Sequence, residues 1–244
     1  MSSPPTPAQA SALGSAPAKA GLILTVLILG ATVANINTSI SNVALPSIAS
    51  ALNATDTELT GITDAYQLGI AATVLYLGAV GDRYGRKGML LLGALLCVPF
   101  SLASAWSPNA VFLIVAQIAV GVAGGMLYPT TLSMITALWR GKKLTGAIAL
   151  WTGLGTGASV LGPIMGGYLL DNYWWGSVFL ITVPFALLVL VMGAIILPRS
   201  RAAEKAPVDH AGGSLSVVMI SSFVLGIVML PQGITITVAI LFAV

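Results

Sequence analysis

The chain has 244 residues, of which 57% are hydrophobic and only 7% are charged. Soluble domains carry about 25% charged residues, so this chain has too few polar groups to cover a water-soluble globule, and we expect lipid to be its solvent. The formal net charge of +3 lies in short segments between apolar runs, which predicts contact with anionic lipid headgroups and excludes an organised nucleic-acid surface.

The apolar runs follow one another along the chain, and each is close to the roughly 20 residues that a membrane span needs. The sequence therefore predicts an all-α membrane protein. We predict spans at 21–43, 59–80, 88–106, 110–138, 144–170 and 176–197, and a seventh at 214–231.

The segments outside the six-helix domain, which we place at 20–197, have distinct compositions. Residues 1–19 are rich in Pro, Ala and Ser without periodicity, which predicts a disordered cytoplasmic tail. Residues 198–213 are polar and predict a cytoplasmic loop. In 214–244 the apolar stub from Gly233 has about half the length of a crossing, so we predict an incomplete eighth span. The alternative is one long helix kinked at Pro231.

The basic residues all fall in alternate gaps between the spans. The gaps after the first, third and fifth spans contain no Lys or Arg. This bias follows the positive-inside rule and predicts a multi-pass protein whose N-terminus is cytoplasmic. The ten residues are Lys19, Arg83, Arg86, Lys87, Arg140, Lys142, Lys143, Arg199, Arg201 and Lys205.

The sequence offers few residues that could carry out enzyme catalysis. The chain has one Cys and one His, and it lacks a nucleotide-binding loop of the G-x-x-x-x-G-K-[ST] kind. We therefore expect no catalytic site, no metal, no cofactor and no coupling to ATP.

Asp64 is the only acidic residue within the predicted spans. A charge in the bilayer core is costly, and low dielectric disfavours a carboxylate, so Asp64 is our candidate for proton exchange. The alternative is that it lies near the outer interface and is merely hydrated.

Polar side chains within the spans form the candidate substrate cavity. Asp64 and Gln67 share one face of the second helix, and Gln117 and Tyr128 share one face of the fourth. Amides facing lipid would stay unsatisfied, so we expect these faces to turn toward a central cavity. The alternatives are hydrogen bonds between helices without a ligand and, for Trp151, ordinary packing. The candidates are Asn35, Asn37, Gln67, Gln117, Tyr128 and Trp151.

A G-x-x-x-D-R-x-G-R-K pattern occupies residues 78–87 between the second and third spans. Its glycines permit close approach and a sharp turn, and its acid can face the positive end of a helix. The pattern resembles the signature of the major facilitator superfamily of transporters, which implies a conformational switch at this loop. Its residues are Gly78, Asp82, Arg83, Gly85, Arg86 and Lys87.

Three further segments narrow the resemblance. Residues 37–46 resemble the first-helix signature of the fourteen-helix drug:proton antiporter family, and residues 126–134 resemble quaternary-ammonium multidrug exporters. The fifth span is similar to the antiporter motif of that family, with glycines that we expect to admit a neighbouring helix and a Gly-Pro joint. The motif residues are Gly153, Gly157, Gly162, Pro163, Gly166 and Gly167.

Two positions depart from the pattern of that family. Its first helix usually carries an Asp where this chain has Asn37, and its fourth helix usually carries an Arg where this chain has Gln117. Losing one acid and one base together keeps the interior nearly neutral. The departures put proton coupling at these two positions in doubt and leave Asp64 as the candidate in this half.

The resemblance implies proton-coupled efflux of amphipathic or cationic small molecules across a bacterial plasma membrane by alternating access. It also implies that the chain is the N-terminal half and needs a C-terminal half for transport. Two alternatives stay open. One is a metabolite facilitator or symporter with weak or no proton antiport, and the other is an inactive half-length membrane subunit.

Overall fold

The computed structural model describes residues 19–200 and 209–229, with side chains as far as residue 223. Every regular element in these ranges is helical. The helices are α1 (Ala20–Leu52), α2 (Asp56–Tyr84), α3 (Arg86–Ala105), α4 (Ala110–Leu138), α5 (Gly141–Gly157), a 3-10 turn (Ala158–Val160), α6 (Leu161–Asn172), α7 (Ser177–Leu180), α8 (Thr182–Ile196) and α9 (His210–Met229).

Five helical segments in the described ranges are long and apolar enough to cross a membrane. We call Gly141–Asn172 the fifth span and Ser177–Ile196 the sixth span, because each contains a short interruption. The other three segments are α1, α3 and α4. The second predicted span corresponds to α2, which has 29 residues but is more polar than these five.

Two helix ends differ from the sequence prediction for local reasons. We predicted that the first span ends at residue 43, whereas α1 continues through Pro46 and ends where Asn53 adopts a left-handed conformation with φ 49°. A proline inside a helix removes only one backbone hydrogen bond, here the bond to the Asn42 carbonyl. Helix α2 begins early because Thr55 and Glu58 form a capping box that satisfies its first N–H groups.

The fifth span is interrupted a few residues before its proline. The chain leaves the α-helix at Gly157, makes the 3-10 turn and resumes as α6. Pro163 has no N–H to bond the carbonyl four residues earlier, at Ser159, which lies within that turn. The predicted joint exists, but it lies a few residues before Gly162 and Pro163.

Helices α2 and α4 approach each other through two glycines. A Cβ on Gly121 would lie 2.9 Å from the Gly69 Cα, and it would also collide with the Tyr66 carbonyl oxygen. Conversely, a Cβ on Gly69 would collide with the Ile118 carbonyl oxygen. This contact requires glycine on both helices, and it is the arrangement by which helices associate in lipid.

The buried apolar side chains form two clusters, one toward each end of the bundle. One contains Ile23, Leu90, Trp139 and Leu197, and the other contains Ile48, Ile62, Leu113 and Val178, among others. The spans therefore run alternately up and down. The described basic residues lie on the segments that flank the first cluster, and we call that side the basic end.

Helix α9 begins four residues before the predicted seventh span. The Asp209 carboxylate accepts a hydrogen bond from the Gly212 N–H at 2.9 Å and so stabilises the first turn. His210 then joins α9 to α2, with Nδ1 2.9 Å from the Tyr76 hydroxyl and Nε2 3.3 Å from the Tyr84 hydroxyl. The predicted disordered tail and the predicted eighth span lie almost wholly outside the described residues.

Candidate functional site

Asp64 lies on α2 in a partly buried position. It is eight residues, about 12 Å, along the helix from Asp56. Its carboxylate forms no hydrogen bond or ion pair with any residue that the structure describes. Gln67, which was predicted to share its face, is exposed. Within the described part of the chain, the side chains of Asp64 and Gln67 are therefore at least partly accessible to a small molecule.

Tyr128 and Trp151 come together between α4 and α5. Their ring centroids are 5.1 Å apart at an angle of 52°, and the indole N–H of Trp151 donates to the Thr131 hydroxyl at 3.1 Å. Trp151 is buried, whereas Tyr128 is partly exposed. In this conformation Trp151 packs against the protein, and Tyr128 is the accessible member of the pair.

Asn35 lies beside the same helix pair. A Cβ on Gly155 of α5 would be 3.9 Å from the Asn35 amide nitrogen. That nitrogen donates to the Ala31 carbonyl one turn earlier at 2.9 Å, and the side chain is partly exposed. The structure thus brings Asn35 near the turn that follows Trp151.

Asn37 points into the protein. Its amide nitrogen donates to the Val33 carbonyl at 3.0 Å, and its amide oxygen accepts from the Thr182 hydroxyl at 3.2 Å. The side chain is buried. Where the resembling family carries an acid, this chain has a neutral amide that links α1 to α8.

Gln117 is fully buried, and neither atom of its amide has a hydrogen-bond partner in the structure. The glycines that follow Gln117 on α4, Gly121, Gly124 and Gly125, pack against Tyr66, Ile70 and Thr73 of α2. The predicted polar face of α4 is therefore closed by α2 in this conformation and does not line an open cavity.

Several polar partners were not predicted from the sequence. The Tyr66 hydroxyl donates to the Ala34 carbonyl at 2.7 Å and so joins α2 to α1. Thr131 and Thr182 satisfy Trp151 and Asn37 from other helices. The sequence indicates only that Thr and Tyr side chains within spans need hydrogen-bond partners. It does not indicate which partner each side chain finds.

The signature loop is tied to three helices by Asp82. Its carboxylate forms an ion pair with the Arg86 guanidinium at 2.6 Å and accepts a hydrogen bond from the Ser133 hydroxyl of α4. Gly85 has φ 138°, a conformation that favours glycine and permits the abrupt turn from α2 into α3. A Cβ on Gly78 would be 3.2 Å from Pro129, so that glycine allows close packing on α4.

Arg86 and Lys87 connect the loop to the end of the sixth span. The Arg86 guanidinium donates to the Ser200 hydroxyl at 3.2 Å, and its backbone N–H donates to the Ser200 carbonyl at 3.0 Å. The Lys87 ammonium donates to the Ala194 and Leu197 carbonyls at 2.7 and 2.8 Å. The contacts of Arg86 and Lys87 with residues 194–200 were not predicted. Within the loop itself, Arg83 lies 5.6 Å from the centre of the Tyr84 ring.

The glycines of the fifth span divide into two groups. Gly162 and Gly166 face α1, where a Cβ would meet Ser39 at 2.8 Å and Val43 at 3.7 Å. A Cβ on Gly146, Gly153, Gly157 or Gly167 would have no atom within 4 Å. The close approach that was predicted for Gly153, Gly157 and Gly167 is therefore not made by any described residue, and Gly155 packs on Ala31 instead.

Residues 6–244 match the Major Facilitator Superfamily, and the chain belongs to this family. The multidrug efflux pump LfrA of Mycolicibacterium smegmatis is 38% identical over 201 residues, which are 82% of this chain and 40% of the relative. The methyl viologen resistance protein SmvA of Salmonella typhimurium is 35% identical over 200 residues, with the same two shares. The chain thus spans about 40% of the length of these curated relatives.

Solved structures of transporters share the fold at low sequence identity. The peptide transporter POT in complex with sulfate has a TM-score of 0.68 at 15% identity, over 96% of this chain and 52% of that one. The proton:xylose symporter XylE has a TM-score of 0.66 at 16% identity, over 91% of this chain and 52% of that one. The chain is therefore a multi-pass membrane protein with the major facilitator fold.

The buried position of Asn37 generates a stability prediction. Asn37→Ala should lower the free energy of unfolding by about 1–3 kcal/mol, because it leaves the Thr182 hydroxyl buried without its partner. Asn42→Ala is the matched control, since Asn42 is exposed on the same helix and bonds only locally, to the Thr38 carbonyl. Melting of the purified chain in detergent measures both variants. Equal melting temperatures would contradict the linking role of Asn37.

Proposed function

We propose that this chain is part of an exporter that moves amphipathic or cationic small molecules across the plasma membrane in exchange for protons, by alternating access. Its relatives, a multidrug efflux pump and a methyl viologen resistance protein, support the substrate class. Because those relatives are much longer than the aligned region, transport by the proposed exporter also needs a C-terminal half.

We propose that Asp64 is the residue that binds the coupling proton in this half. It is the only acid in the predicted spans, and its carboxylate is partly buried without a protein partner among the described residues. A carboxylate in this position is stabilised either by a proton or by a cationic substrate, but not fully by both. Protonation of Asp64 would then favour substrate release, and substrate binding would favour loss of the proton.

The substrate contacts in this half are proposed for side chains that are at least partly exposed. These are Gln67 beside Asp64 on α2, and Asn35 and Tyr128 near α5. Asn37, Gln117 and Trp151 are buried, so we assign them to the protein layer behind this surface. Gln117 can contact substrate only if α2 and α4 separate in another conformation.

The proposed topology places the basic end in the cytoplasm, as the positive-inside rule predicts. In a variant without Cys97, a cysteine at Asn172 should react with an impermeant maleimide added to intact cells. A cysteine at Lys142, which is equally exposed but lies at the basic end, should react only after permeabilisation. The reverse labelling pattern would contradict the orientation.

The signature loop is proposed to control exchange between conformations, because Asp82 links the spans at the basic end. Asp82→Asn in the complete transporter should reduce the transport rate about fivefold, because losing about 1 kcal/mol of ion pairing lowers the population of this conformation, which the transport cycle must revisit, by about that factor. Equilibrium substrate binding should change less than threefold.

The control for this loop variant is Asp171→Asn, which removes an exposed acid at the opposite end and should leave both quantities unchanged. Impaired binding together with a normal transport rate would contradict the proposed role of Asp82.

The coupling role of Asp64 is tested by Asp64→Asn in the complete transporter. The variant should lose efflux driven by a proton gradient by about 100-fold or more, as expected when a group that must carry a proton is removed. Exchange of substrate down its own gradient should persist. Transport in proteoliposomes with an imposed pH gradient distinguishes the two activities.

Asp64→Glu should retain part of the coupling, and Asp56→Asn, at the exposed first residue of α2, should retain all of it. Normal pumping by Asp64→Asn would show that Asp64 is only hydrated. If transport by the unaltered protein does not depend on the pH gradient, a facilitator is favoured. If the unaltered protein shows no transport, an inactive subunit is favoured.

A further inference from the structure

A cavity of about 300 Å³ opens at the basic end between the start of α3 and the segment that follows the sixth span. It is lined in part by residues of the signature loop, but Asp82 is not among them. The lining residues are Tyr84, Gly85, Lys87, Gly88, Leu91, Arg199 and Ser200.

The cavity is basic and contains no acidic lining residue. Arg199 is exposed, and its guanidinium makes no hydrogen bond or ion pair within the described ranges. The Lys87 ammonium donates to two carbonyls, which leaves one of its three N–H donors for another acceptor. The adjacent Arg86 is already paired with Asp82, so the unbalanced charge of the cavity comes from Lys87 and Arg199.

The backbone around the cavity adds a further attraction for an anion. Helix α3 begins at Arg86 after Gly85, and no side chain caps its first turn. The start of a 20-residue helix carries partial positive charge, although the first N–H group, that of Arg86, already donates to the Ser200 carbonyl. A Cβ on Gly88 would have no atom within 4 Å, so a ligand can approach this turn closely.

The outward face of α3 continues from the cavity as an apolar stripe. Gly88, Leu92 and Leu95 follow one another at helical spacing and are exposed, and Pro99 and Leu102 extend the same face. In a membrane protein this face is available to acyl chains. A molecule with a phosphate at Gly88 and hydrocarbon along Leu92 and Leu95 would therefore satisfy both parts of the surface.

We propose that this cavity binds the phosphate group of an anionic membrane lipid. Basic pockets between spans at the membrane surface bind such headgroups, and the adjoining apolar stripe favours a lipid over a soluble phosphate. The proposal is independent of transport, since it concerns only the membrane-embedded chain. Occupation of the site would hold Lys87 and Arg199 together and so brace the loop against the sixth span.

The test is native mass spectrometry of the purified full chain in detergent with added phosphatidylglycerol or phosphatidylcholine. Phosphatidylglycerol should bind more tightly than zwitterionic phosphatidylcholine. Arg199→Gln should weaken phosphatidylglycerol binding about fivefold, the effect expected of one basic residue near a lipid surface. Arg140→Gln is the matched control, because Arg140 is exposed at the same end but does not line the cavity, and it should change binding less than twofold.

A second pair of variants tests the position within the cavity. Gly88→Asp places a carboxylate in the open space at the start of α3 and should remove selective binding of phosphatidylglycerol. Gly88→Asn has nearly the same shape without the charge and should preserve that selectivity. Melting temperatures close to that of the unaltered chain would show that both variants are folded.

Three results would overturn the proposal. One is equal binding of the two lipids by the unaltered chain, and another is an equal loss with Arg140→Gln and Arg199→Gln. The third is displacement of phosphatidylglycerol by inorganic phosphate at a similar concentration, which would identify a site for a soluble anion.

Discussion

The close contact between α2 and α4 at Gly69 and Gly121 positions the polar side chains of α2. In lipid, helices gain little from burying apolar surface against each other, so association depends on close packing and hydrogen bonds. A side chain at either glycine would meet the backbone of the opposite helix. With the two backbones in contact, Tyr66 reaches α1, while Asp64 and Gln67 stay accessible on the other side of α2. The same packing brings Asp82 within hydrogen-bond reach of Ser133 at the basic end.

Both ends of the bundle have a buried apolar cluster, and the basic end adds charged hydrogen bonds between helices. There Asp82, Arg86 and Lys87 join α2, α3 and α4 to residues 194–200. Toward the opposite end the described contacts between spans are mainly apolar, as around Ile62, Leu113 and Val178. Charged hydrogen bonds are directional, so they hold one arrangement and are lost when it changes. Apolar contacts tolerate small displacements more easily. The basic end is thus the place where a conformational change has discrete bonds to break.

Most polar side chains inside the bundle have found protein partners, as the low dielectric of a membrane requires. Asn37 binds Thr182, and Trp151 binds Thr131. Gln117 is an exception, since its amide is buried without a partner, and such a group costs about 1–3 kcal/mol. Any arrangement of α2 and α4 that gives this amide a partner would recover that energy.

The sequence alone determined the class of protein, the succession of spans and the segments that carry positive charge, because these depend on apolar run length and on charge counts between runs. The bounds of α4 were predicted to the residue, and the loop at 78–87 was identified from its own spacing. The tertiary structure decided which polar residues are accessible. Asn35 and Asn37 are only two positions apart, yet one borders α5 and the other bonds α8. The partners of the loop at Ser133 and Ser200, and the pairing of Tyr128 with Trp151, join residues distant in sequence. Helical periodicity shows which residues share a face, but the direction of that face is set by the rotation of each helix against its neighbours, and that rotation is a property of the packed bundle.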